Sequence, residues 1–177
     1  QGCDAFGCDK GPGGESGQTC RVRAMNKAKF KHVTQLRVRN YEVDWQGIVH
    51  NANYLHYFEV GRIEYLRQMG AKIDMNAIQG ESKVVLVRNE IDYTAPAYFD
   101  DLLNVHTRMS FIKNSSFAME GILEKSKTAE LVSTNIAFHV WLNPKTNKSK
   151  PVPDEFRKMV QQFEGSDCEI FWPTLEV

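Results

Sequence analysis

An α+β fold, an antiparallel sheet wrapped around one long central helix, is what this sequence predicts, and three observations carry it. Residues 51 to 69 read as one helix, later segments alternate apolar and polar residues in the manner of strands, and that helix precedes most of the strands. In the helix, Tyr54, Leu55, Tyr57, Phe58, Ile63, Tyr65, Leu66 and Met69 cover more than one stripe, so protein must cover much of its circumference. Asn51 is a suitable N-cap, Gly70 supplies a stop after Met69, and the span between them is about 28 Å.

The rest of the chain follows in order. Residues 1 to 24 contain Gly-Pro-Gly-Gly at 11 to 14 and show no period, so they read as a dispensable leader. The domain runs from 25 to 165, and 166 to 177 form a tail. A first strand spans 32 to 39, with Leu36 and Val38 on one face and Arg37 and Arg39 on the other. A polar connection with some helical character, 70 to 81, follows the central helix. Four strands come next, at 83 to 93, 102 to 112, 116 to 124 and 131 to 142; Ala95-Pro96-Ala97 ends the first because proline has no N–H for a ladder. Lys113-Asn114 is a hairpin turn, and Pro153-Asp154 opens a short amphipathic helix to about Phe163.

At 177 residues, 42% hydrophobic and 25% charged, the composition is that of one globular domain without room for a second. Formal net charge is zero, so nothing draws the whole molecule to nucleic acid. No apolar run approaches the ~18 residues of a membrane span, and no secretory signal is visible, so a cytoplasmic protein is expected. Cys3, Cys8 and Cys20 lack pairwise spacing and a nearby His, and Cys168 stands far from them. His56, His106 and His139 fall on separate elements, so no metal is expected.

The chemistry points to the front of the helix. The first N–H groups of a helix have no internal acceptor and carry the positive end of its dipole, so they polarise a carbonyl placed there and stabilise its oxyanion. Asp44 lies just upstream and can serve as general base toward water or as nucleophile, while Gly47 permits a tight turn. Alone in a loop, such an Asp is equally a turn residue. His50 at the loop-to-helix junction has a structural reading and one as a group that orients water.

The run Asp44-x-x-Gly47-x-x-x-Asn51-x-x-Tyr54-x-x-x-x-Glu59-x-x-Arg62 resembles the 4-hydroxybenzoyl-CoA thioesterase-like branch of the hotdog-fold acyl-CoA thioesterases. The resemblance implies a hotdog fold, hydrolysis of an acyl-CoA to acid and thiol, Asp44 as the catalytic carboxylate and the backbone N–H at Asn51 as receiver of the thioester oxygen. It also implies no cofactor, coenzyme A being part of the substrate, and a homodimer or homotetramer. Tyr54, Phe58, Trp45 and Tyr57 are the candidates for the acyl pocket, apolar helix residues being core by default; Glu59 is either a reserve carboxylate or the ion-pair partner of Arg62 or Arg37. For the nucleotide phosphates, Lys113 with Ser115 and Ser116 forms one candidate cluster and Lys145, Lys148 and Lys150 a second. Hydrolysis of acyl-carrier-protein thioesters and a non-catalytic acyl-CoA sensor are the rival readings.

Overall fold

The computed structural model describes residues 25–71 and 83–173. The leader and most of the 70-to-81 connection lie outside those residues. Strand β1 (His32–Arg37) is followed by the central helix α1 (Asn51–Gln68), then by β2 (Lys83–Tyr93), β3 (Leu102–Ile112), β4 (Ser116–Lys125) and β5 (Leu131–Leu142). A second helix, α2 (Asp154–Glu164), and a two-residue strand, β6 (Glu169–Ile170), complete the described chain. The sheet order is β1-β3-β4-β5-β2, antiparallel throughout, while β6 pairs in parallel with β3 at Phe111 and Ile112, beyond the end of β1. This is the hotdog arrangement.

Packing explains why α1 lies where it does. Leu103, Val105, Thr107 and Met109 alternate on β3, and all four are buried. At Gly61 the helix comes so close to this strand that a Cβ would sit 2.6 Å from Val105 Cγ1 and 2.7 Å from Thr107 Oγ1. Gly121 on β4 makes room in the same way for the Phe58 ring. The two glycines therefore set how tightly helix and sheet can pack.

Three expectations from sequence are corrected. Asn51 is not the N-cap of α1: His50 stays extended (φ −60°, ψ 136°) and its Nδ1 accepts the Ala52 N–H at 3.2 Å, so Asn51 is the first helical residue. The helix ends at Gln68 with Met69 as C-cap, and Gly70 (φ +89°) turns the chain away. Strand β1 stops at Arg37, where the Val38 N–H turns to the Asp101 carbonyl.

Beyond α2, the chain returns to the body. Arg157 is fully buried and donates to the carbonyls of Val152, Lys113, Asn114 and Phe171, tying α2, the β3–β4 turn and the end of the described chain together. Cys168 is an unpaired, buried thiol, pushed up to about 12 by burial and by Glu164. On the opposite side of the sheet, β2 bonds only to β5 among the described residues and exposes Val84, Leu86 and Val87. It is an unfinished apolar edge.

Candidate active site

The loop before α1 is built around Glu42. Its carboxylate accepts the Arg39 N–H at 2.6 Å and the Tyr57 hydroxyl at 2.9 Å; its carbonyl accepts the His50 N–H at 2.9 Å and the Asn53 side chain at 2.7 Å. Burial and this carboxylate push the Tyr57 hydroxyl well above its ordinary range, so it stays a donor. One acidic side chain thus clamps the incoming loop to the second turn of α1. Neither the reach-back from Glu42 to the Arg39 N–H nor its hold on Tyr57 is visible in the sequence, because Arg39 is not one of the residues that mark a capping box.

From this clamp the chain makes a closed turn. Gly47 N–H donates to the Asp44 carbonyl, Asp44 N–H to the Ile48 carbonyl, and Gln46 N–H to Asp44 Oδ1, at 3.0, 2.8 and 2.8 Å. Gly47 is left-handed (φ +78°) with open space beside it, so the glycine answers a backbone demand and not a steric one. Val49 N–H then bonds the Ala97 carbonyl at 2.8 Å, fixing the turn to the segment after β2.

Between these parts lies a cavity of about 540 Å³ whose lining includes Asp44, Trp45, His50, Asn51, Tyr54 and Tyr93. Ile48, Val49, Ala95 and Pro96 add apolar wall. Tyr54 and Tyr93 meet edge to face at 5.1 Å, and Tyr93 donates to the Asn51 carbonyl at 3.3 Å. Burial raises both tyrosines, so they stay neutral, and the Tyr54 hydroxyl accepts the Ala97 N–H at 3.4 Å. His50 Nδ1 is already an acceptor for Ala52, which places the proton of the neutral ring on Nε2.

Two groups at this cavity remain unused. Asp44 Oδ1 is taken by the turn, but its second oxygen has no partner among the described residues. The Asn51 N–H, at the positive end of α1, likewise has no acceptor among them. A carboxylate oxygen able to take a proton and a helix N–H able to hold an oxyanion therefore open on one apolar-walled space. That pairing is what acyl transfer to water requires.

The structure brings Asp44, Trp45, Gly47, His50, Asn51 and Tyr54 together and separates the other residues singled out from sequence; Tyr57 is buried, with its hydroxyl on Glu42. Phe58 is in the core against Gly121, away from the cavity. Glu59 pairs with Arg62, whose guanidinium also bonds Asn135 Oδ1 at 3.2 Å. Lys113, Ser115 and Ser116 lie at the far end of β3, an 11-residue strand roughly 36 Å long, from the cavity of their own chain. There they join the second lysine cluster: Val152 N–H bonds the Asn114 carbonyl, and Lys83 Nζ bonds Asn147 in the loop that carries Lys145 and Lys148. Glu42, Tyr93, Ala95 and Pro96 were not singled out. Among the described residues, no group of three His, Cys, Asp or Glu side chains is placed to hold a metal, and no helix is long and apolar enough to cross a membrane.

The sequence profile of the thioesterase-like superfamily matches residues 38–160, which includes the turn, α1 and the whole antiparallel sheet apart from β1. The chain belongs to this superfamily. Similar proteins include the long-chain acyl-CoA thioesterase FadM of Escherichia coli, 26% identical over 129 residues, covering 73% of this chain and 96% of that protein. The chloroplastic acyl-acyl carrier protein thioesterase ATL3 of Arabidopsis thaliana is 29% identical over 141 residues, 78% of this chain and 72% of its own length. Among solved structures, a Thermus thermophilus thioesterase complexed with coenzyme A and zinc superposes with a TM-score of 0.67 at 27% identity, covering 77% of this chain and 96% of that one. As a member of this superfamily the chain is a thioester hydrolase.

Proposed function

We propose that this thioesterase hydrolyses acyl-CoA, with Asp44 activating water and the Asn51 N–H holding the oxyanion. The observation that carries this reading is the pair of unused groups, carboxylate oxygen and helix N–H, on one cavity. Asp44 takes a proton from water as the water oxygen bonds the carbonyl carbon; the carbonyl electrons move to the oxygen held by Asn51. When they return, the C–S bond breaks, the coenzyme A sulfur leaves with the electron pair, and the proton goes from Asp44 to the thiolate. Acid and thiol are the products. Attack by Asp44 itself, through an anhydride that water then cleaves, uses the same two groups.

The active form we propose is a two-fold dimer. The free edge of β2, with Val84, Leu86 and Val87 exposed, supports it, because pairing two such edges removes unpaired backbone groups from water. With the two-fold axis at Arg88, the midpoint of β2, antiparallel pairing would set Lys83 of the partner subunit opposite Tyr93 at the cavity. Lysines remote from the cavity in one chain then approach it from the other, where coenzyme A phosphates need cations.

Asp44→Asn, with its fold verified by circular dichroism, is expected to lower acyl-CoA turnover by ~100-fold or more. Turnover near the wild-type value would reject the assignment. Matched acyl-CoA and acyl-carrier-protein substrates assayed in parallel address the carrier reading, which the similarity to ATL3 keeps alive.

A further inference from the structure

Hydrolysis chemistry defines the thioester but leaves the acyl group open, and one residue at the cavity bears on it. Trp45 follows Asp44 directly, lines the cavity, and is 92% exposed. Its backbone sits in the turn held by three hydrogen bonds, so the indole is presented from a fixed position. The ring itself stacks on no aromatic side chain among the described residues. The other aromatic groups of the wall, Tyr54 and Tyr93, are packed against each other. In the single chain the largest apolar side chain of the cavity therefore faces water while its neighbours are packed.

A Trp brings roughly 150–250 Å² of surface to a contact, and that area is gained only against an apolar group of comparable size. The cavity falls in the ~300–1,000 Å³ range of ligand sites, far more than a two-carbon acyl group fills. Ile48, Val49, Tyr54, Tyr93, Ala95 and Pro96 supply the remaining apolar wall, and Asp44 and Asn51 supply the groups that the reacting carbonyl needs.

We infer that Trp45 is a specificity-determining residue that closes over a large apolar acyl group, an aromatic ring or a long chain, once the thioester is seated. The inference rests on the proposed hydrolysis and adds the substrate class to it. An acetyl group leaves the indole as exposed as before. A bulky acyl group buries it.

The test compares Trp45→Ala and Trp45→Phe with the wild type on acetyl-CoA, octanoyl-CoA, palmitoyl-CoA and benzoyl-CoA. With the bulky substrate that fits, chain or ring, Trp45→Ala is expected to raise KM at least ~10-fold with kcat within ~3-fold, a loss of uniform binding. Acetyl-CoA kinetics stay within ~2-fold, and Trp45→Phe recovers most of the loss because a phenyl ring replaces part of the contact. The panel separates ring from chain.

A second readout uses the Asp44→Asn protein, in which the indole emission should change on adding palmitoyl-CoA or benzoyl-CoA and not on adding acetyl-CoA. The change should vanish when Trp45→Phe is added. Equal losses across the panel, no loss at all, or conversion of a dimer to a monomer by Trp45→Ala would overturn the inference, the last by making Trp45 an interface residue. An active Asp44→Asn that still shows the emission change would instead remove the mechanism and leave Trp45 as an acyl contact.

Discussion

The two ends of α1 are finished in opposite ways. At the C-terminal end Tyr65 is fully buried and donates to Glu164 Oε1 at 2.6 Å; the Met109 N–H donates to the same oxygen at 2.9 Å. Phe163 and His32 pack edge-on against the Tyr65 ring, and Lys31 caps the last carbonyls of α2. Burial and Glu164 push the Tyr65 hydroxyl far above its ordinary range, which keeps it a donor. At the N-terminal end, an N–H, a carboxylate oxygen and an indole are left without partners among the described residues. One end spends its polar groups on stability, and the other holds them in reserve for a ligand. These groups are open to water, so leaving them without a protein partner costs the fold little, and they are free to meet a ligand.

The contrast predicts different outcomes when each end is altered. Glu164→Ala leaves the Tyr65 hydroxyl and the Met109 N–H buried without an acceptor, at roughly 1–3 kcal/mol each, so a loss of about 4 kcal/mol is expected in urea denaturation. Glu164→Gln keeps an acceptor oxygen and should retain most of the stability. An Ala variant as stable as the wild type would mean that this end is not sealed by Glu164.

Acid should act on the packed interior in a definite window. His139 stacks on Phe117 at 4.9 Å, and burial, then Arg62, lower it to about 4, against an ordinary value near ~6.5. The unfolded chain therefore binds this proton first as pH falls. Stability is fully present above about 6.5, declines between about 6.5 and 4, and is flat below, a loss of about 3 kcal/mol attributable to this group. Denaturation of wild type and His139→Leu across that window measures it; an equal slope in both would exclude His139 as the source.

At the open end, the backbone N–H can be removed without the side chain being the cause. Asn51 is the first helical residue, a position that tolerates proline, and His50 already has the extended backbone that must precede one. Asn51→Pro should keep the fold and lower kcat ~100-fold, the scale of one lost oxyanion donor. Asn51→Ala keeps the N–H and should lower kcat by less than ~3-fold, because the cap is His50. Equal effects of the two substitutions would move the oxyanion site elsewhere.

The smallest effect is expected between the ends. Gly61→Ala gains about 1 kcal/mol of helix propensity but drives a methyl into Val105 and Thr107, an overpacking cost of roughly 1–3 kcal/mol. A net loss of about 1 kcal/mol, with kcat unchanged, would show that the spacing of helix and sheet is set independently of the site. A large fall in kcat would show the two to be coupled.

Much of this was legible before the structure. The strands at 83 to 93, 102 to 112 and 131 to 142 coincide with β2, β3 and β5, because side-chain alternation records which face is buried. Asp44, His50, Asn51 and Tyr54, all singled out from sequence, line one cavity, with Gly47 in the turn that carries Asp44. Phe58 was assigned there too, since it lies one turn beyond Tyr54 on the same apolar helix; only the space left by Gly121 on another strand sends its ring into the core. The two-residue β6 was invisible because no period exists over two residues, and the His50 cap because Asn is the commoner residue for that role.

By itself the sequence determined what depends on neighbours along the chain: the helix, the alternating strands, the left-handed glycine turn and the residues able to activate water and hold an oxyanion. Only the tertiary structure decided which of those residues meet, where Glu42 clamps the loop, that α2 closes one end of α1, and that two lysine clusters roughly thirty residues apart share one end of the sheet. The reason is that periodicity and capping act over a few residues, whereas cavities, clamps and buried pairs form between segments that only packing brings into contact.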